Sequence, residues 1–239
     1  MLMKFVTIAA FVYLLISSLF IANETSGGSE DVYIAPAGFT FVIWGLIYLL
    51  LLISLIRQFT AEERDQKLYN KISFLFALSM LLSGTSVLVG GTGALFFIAG
   101  SLITLSILYA MITRNPERSS FFSIPFSFYL AWTSIATIVD AFIVARGNGV
   151  ELILGLNELA WTIIMLIIGA GLAVYFSLYN DDLIYPIVFL WGYFGIFVNG
   201  DKPVQLTYTL NILIIGLGVF VIWKVYREVR GRRMRAEAV

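Results

Sequence analysis

The sequence predicts an all-α integral membrane protein with eight transmembrane helices, and three observations predict it. The 239-residue chain is 60% hydrophobic and 13% charged, with a mean hydropathy of +0.93. That balance is far from a soluble domain's. Eight apolar runs can be drawn, each close to the roughly 17–25 residues that a spanning helix needs. The basic residues also fall almost entirely on one side of the membrane once those runs are threaded through it.

The first run, Leu2–Ala22, has Lys4 near its start and polar Asn23 after it. Its apolar stretch exceeds the h-region of a signal peptide, so it reads as a retained span. The second, Gly38–Ile56, follows the Pro-containing loop Ala35-Pro36-Ala37. The third and fourth, Ile72–Val89 and Ala94–Thr113, are parted only by Gly90-Gly91-Thr92-Gly93, which suits a tight turn. The fifth is Phe121–Ala145 and the sixth Leu154–Tyr179. The seventh, Leu183–Val198, is short, and the eighth, Leu206–Val225, runs into a basic tail.

Threading with the N-terminus inside places Lys4, Arg57, Arg64, Lys67, Lys71, Arg114 and Arg118 in the cytoplasm. Lys224, Arg227, Arg230, Arg232, Arg233 and Arg235 join them, so thirteen of the fifteen basic residues lie inside. Only Arg146 and Lys202 lie outside. Both termini are therefore expected in the cytoplasm of a bacterial or archaeal plasma membrane. The charged stretch Arg57 to Lys71 is expected to be a solvated linker. The Asp181-Asp182 linker is anomalous, being cytoplasmic without a base of its own.

Composition also excludes chemistry. There is no Cys and no His, so disulfides, thiolate nucleophiles, His bases and His- or Cys-ligated metals are out. No basic residue falls mid-span, which argues against a retinal Schiff base. No acid–base pair or nucleophile is evident, so catalysis has little support. No basic patch outside the tail invites nucleic acid, and no internal repeat suggests a transporter of inverted halves. The expected partners are the lipid bilayer and a hydrophobic small molecule.

Two stretches carry what specificity there is. In Gly38-Phe39-Thr40-Phe41-Val42-Ile43-Trp44-Gly45-Leu46-Ile47-Tyr48, the spacing puts Trp44 and Tyr48 on one helix face. Trp44 lies about 9–12 Å beyond the entry at Pro36 to Gly38, deeper than the interface Trp prefers. In the fifth run, Tyr129, Trp132, Ala136 and Asp140 form one stripe at i, i+3, i+7 and i+11. Ala136 and Ser134 are small enough to admit another helix or a flat ligand. A helix-packing seam would use the same residues. Asp140 and Glu158 are the carboxylates within spans, candidates for function or for simple solvation at the outer interface. Asn211 reads as an interhelical hydrogen bond.

Pro36, Trp44 and Tyr48 at the second run, with Tyr129-Leu130-Ala131-Trp132, Ala136-Thr137 and Asp140 in the fifth, resemble the TspO/MBR family of translocator proteins and tryptophan-rich sensory proteins. The resemblance covers about residues 1–147. It implies a five-helix bundle, with residues 148–226 as three additional transmembrane helices and 227–239 as a basic cytoplasmic tail. It also implies a pocket for a porphyrin or other tetrapyrrole. Carried over, Trp44, Tyr48, Trp132 and Ala136 would line the pocket, with Pro36 and Gly38 at its mouth. The stripe adds Tyr129 and Asp140 as ligand-binding candidates. The chain departs from the family pattern in having one proline at Ala35-Pro36 and Gly38 in place of a bulky aromatic. It also lacks the Asn and Trp of the third helix at Leu82-Ser83-Gly84-Thr85-Ser86, and has Asp140 for an Asn. The expected function is a TspO-like binding or sensory protein. The alternative is a proton- or cation-coupled carrier using Asp140 and Glu158. A homodimer is a further expectation, unless the last three helices cover the face through which shorter relatives pair.

Overall fold

The structure, a computed structural model, describes residues 2–21, 32–115, 119 and 121–237, without the side chains of 20–21 and 232–237. Arg118 therefore lies outside the described residues, as do the side chains of Arg232, Arg233 and Arg235.

Among the described residues there are eight long helices. Helix α1 spans Leu2–Ile16 and continues as a π-turn over Ser17–Ile21. Helix α2 begins as a 3-10 turn, Gly38–Val42, and runs on over Ile43–Thr60. Then come α3 (Glu63–Val89), α4 (Gly91–Thr113), α5 (Ile124–Gly147), α6 (Glu158–Asn180), α7 (Ile184–Phe197) and α8 (Val204–Glu237). Seven are long and apolar enough to cross a membrane, and α7 is the shorter apolar one. The fold is thus that of an all-α multi-pass membrane protein.

The helix ends follow local chemistry. Gly90 and Gly91 take positive φ, 66° and 50°, to turn α3 into α4. Pro125 opens α5, where its missing N–H costs nothing. Residues 153–157 form a turn closed by reciprocal bonds between Ile153 and Leu156. Asn157 then caps α6 by accepting from the Ala160 N–H at 3.0 Å. So α6 starts at Glu158, four residues later than the apolar run. Helix α3 starts nine residues before its apolar run, because Glu63 and Asp65 suit a helix N-terminus. Within that extension Asp65 is buried, 3.5 Å from Arg57 and accepting from the Ser119 N–H. The expected solvated linker is therefore partly a packed joint.

Helices α1, α2, α5, α4 and α3 form a closed ring in that order. Helix α7 lies against the far side of α5 and the 3-10 entrance of α2, flanked by α6 and α8. Its 14 residues suffice because it is an inner helix, with Tyr185, Val188, Phe189, Tyr193 and Ile196 buried. One apolar core runs without a break from Ala10 in α1 to Leu217 in α8. Two glycines let α7 dock. A Cβ at Gly192 would stand 2.7 Å from Ile135 of α5, and one at Gly195 would overlap the Thr40 side chain.

Candidate functional site

Helix α5 presents two opposite faces. At about 100° per residue, Tyr129, Ala136 and Asp140 lie within roughly 40° of one another, with Trp132 flanking them. Tyr129 shows where this face points. Its hydroxyl donates to Ser83 Oγ at 2.7 Å and Ser79 O at 3.2 Å, both on α3. Trp44 of α2 meets the Tyr129 ring edge to face at 6.2 Å and stacks on Tyr48 at 5.5 Å. The 3-10 entrance supplies Phe41, edge-on to Trp132 at 5.8 Å. The structure thus brings Trp44, Tyr48, Tyr129 and Trp132 to one aromatic seam between α2 and α5, facing the ring of five helices.

Trp132 is buried, 1% exposed, and its indole N–H has no hydrogen-bond partner among the described residues. An unpaired donor of this kind costs about 1–3 kcal/mol and calls for an explanation. Ala136 and Asp140 continue the face outward, half-buried. Asp140 makes no hydrogen bond or ion pair among the described residues. In the third-helix stretch that departs from the family pattern, Ser83 meets Ser101 Oγ at 2.9 Å and receives Tyr129.

Pro36 is buried and Gly38 is exposed. The loop they share is sewn to the C-terminal helices. Ala37 N donates to Gly195 O at 2.9 Å, Asn199 Nδ2 to Ala35 O at 3.0 Å, and Trp191 Nε1 to Thr40 O at 3.0 Å. The sequence reading missed this brace, since nothing in one sequence pairs residue 37 with residue 195. Helix α7 thus fixes the entrance that aims Phe41 and Trp44.

Other assignments move. Trp161 stands on the first turn of α6 and donates to Ile153 O at 2.9 Å. Asn211 donates within its own helix, to Thr207 O at 3.0 Å. Glu158 accepts from the Tyr33 N–H at 2.7 Å and lies 3.6 Å from Arg146. No bond joins Glu158 to Asp140 among the described residues. The Asp181-Asp182 turn does have a base. Lys224, 4% exposed, reaches Asp181 Oδ1 at 3.3 Å and donates to Ser177 O at 2.6 Å. No group of His, Cys, Asp and Glu residues suited to a metal occurs among the described residues.

Fold and site together define a multi-pass helical membrane protein with an aromatic seam facing the interior of a five-helix ring. The chain matches the family model described as TSPO-like protein over residues 1–223, and it belongs to that family. The match runs beyond residue 147, where the resemblance read from the sequence stopped, and takes in α6, α7 and nearly all the apolar part of α8. No curated protein and no solved structure matches the chain.

Proposed function

We propose that this protein binds a flat hydrophobic ligand of the tetrapyrrole class against the α2–α5 seam, as a membrane binding or sensory protein. The observation that carries the reading is the buried indole N–H of Trp132, without a hydrogen-bond partner among the described residues, within a cluster of Phe41, Trp44, Tyr48 and Tyr129. Aromatic faces suit a flat conjugated ring. The N–H supplies one directed donor, which an acceptor on the ligand would satisfy. Ala136, one turn further on, adds only a methyl to that face, and the space beside Gly38 is open.

Residues 148–226 brace that entrance in this reading, through the bonds from Gly195, Asn199 and Trp191 to the 35–40 loop. The protein's own part is to bind and orient. Both termini are cytoplasmic, on the distribution of basic residues.

Titration of the purified protein with a protoporphyrin tests the proposal. The expected result is a saturable shift of the porphyrin absorbance with parallel quenching of tryptophan fluorescence, reduced at least about tenfold in affinity by Trp132→Phe. A pigment that partitions without saturation, or that binds Trp132→Phe unchanged, contradicts it.

A further inference from the structure

The face of α5 opposite the seam borders a separate cavity of about 640 Å³. Ile138, Phe142 and Ala145 of α5 lie roughly 140–200° around the helix from Asp140. Across from them stand Trp161 and Met165 of α6, with the 150–157 turn as a roof. Helices α5 and α6 touch only lightly, so the space between them is a cleft. Ile138 and Met165 also border a separate void of about 10 Å³, lined farther in by Phe189 and Tyr193 of α7. Ile138 and Met165 thus line both the outer cavity and the void in the α5–α6–α7 core.

We propose that this cleft holds the acyl chain of a single-chain amphiphile whose carboxylate or phosphate head is bound by Arg146. The size suits a small ligand, such sites being about 300–1,000 Å³. The polarity is graded. The walls are apolar, Trp161 stands one turn inside the mouth where an interfacial aromatic belongs, and the charged groups are confined to the rim. Arg146 is 62% exposed, and its partner is Glu158 at 3.6 Å. A guanidinium has five donors, so a forked face remains for an anion. Glu158 divides its carboxylate, with Oε1 accepting from the Tyr33 N–H and Oε2 facing Arg146. Lys202 adds a second cation behind it, donating to Tyr33 O at 2.8 Å. Burial pushes the Lys202 ammonium below its ordinary value, and the Glu158 carboxylate offsets only part of this. An anion at the rim would relieve that cation too. Glu151 also lines the rim, but it is exposed and stays hydrated. Met165 is the adaptable gate that would let a chain pass toward Tyr193.

The test uses the full chain in nanodiscs of neutral phosphatidylcholine, with a dibrominated stearate as a contact quencher of tryptophan. Saturable quenching is expected, most of it lost in Trp161→Phe. The methyl ester of the same acid should bind about tenfold or more weakly, and Arg146→Gln should erase that difference. Ala141 of α5 also lines the cavity, so Ala141→Phe, which fills it, should abolish saturation. Equal binding of acid and ester by the unaltered protein overturns the proposal, even if Arg146→Gln fails to fold. Unchanged quenching in Trp161→Phe or in a folded Ala141→Phe overturns it as well. Competition with stearate and with lysophosphatidate then separates a free fatty acid from a membrane lipid, by which displaces the probe at lower concentration. Displacement by neither overturns the assignment of an anionic head.

Discussion

Lys224 lies at the start of the basic tail, yet its ammonium is buried. Besides Ser177 O it donates to Ser177 Oγ at 3.1 Å and Asp182 O at 3.3 Å. Asp182 in turn caps α7, accepting from the Ile184 and Tyr185 N–H groups at 2.7 and 3.1 Å and from the Tyr109 hydroxyl. Removing the ammonium leaves buried acceptors short of a donor and the α6–α7 turn without its counter-charge. Lys224→Ala should cost about 1–3 kcal/mol, read as a lower melting temperature in detergent. Arg227→Ala is the control: it packs over the Trp223 ring at the surface, 5.6 Å away, and should change melting little. Equal effects of the two would contradict the assignment. The sequence shows both as bases of one tail. Nothing in it says that the first folds back on an acidic turn forty residues earlier.

At the scale of elements, close approach decides how α7 is used. Gly195→Val would drive a side chain into Thr40 and separate α7 from the entrance of α2. Overpacking of this kind costs about 1–3 kcal/mol or more. Porphyrin affinity should fall along with stability, because the displaced turn carries Phe41. Gly216→Val on α8 meets nothing within 4 Å and should leave both unchanged. If Gly195→Val melts and binds like the unaltered protein, the brace has no role. Element existence was legible because a membrane fixes the length of an apolar run, and the Gly90-Gly91 break and the short seventh run were visible as such. Element ends were less legible. Helix α3 extends to Glu63 through a buried Asp65 paired with half-buried Arg57, and α6 is delayed to Glu158 by a capped turn. In both places capping and pairing, rather than hydropathy, set the boundary.

At the scale of the whole molecule, the five-helix ring and the three C-terminal helices share one core. The family match to residue 223 accords with that continuity. The orientation proposed from charge makes a direct expectation: reporter fusions after Arg114 and after Arg235 should both read cytoplasmic. An external signal from either would reverse it. The stripe Tyr129, Trp132, Ala136 and Asp140 was legible as a stripe, since helical periodicity is written in one segment. Its pairing with Trp44 came from resemblance. The opposite face of α5, with its cavity beside α6, was not legible, because one sequence does not say which distant helices become neighbours. The central claim is that the seam-facing side of α5 lines a ligand site rather than a packing joint. Ala136→Phe tests it most directly, with porphyrin titration and thermal melting measured on the same preparation. The account predicts lost binding at an unchanged melting temperature, because the ring would fill space meant for ligand. A large fall in melting temperature, or binding that survives intact, would contradict it.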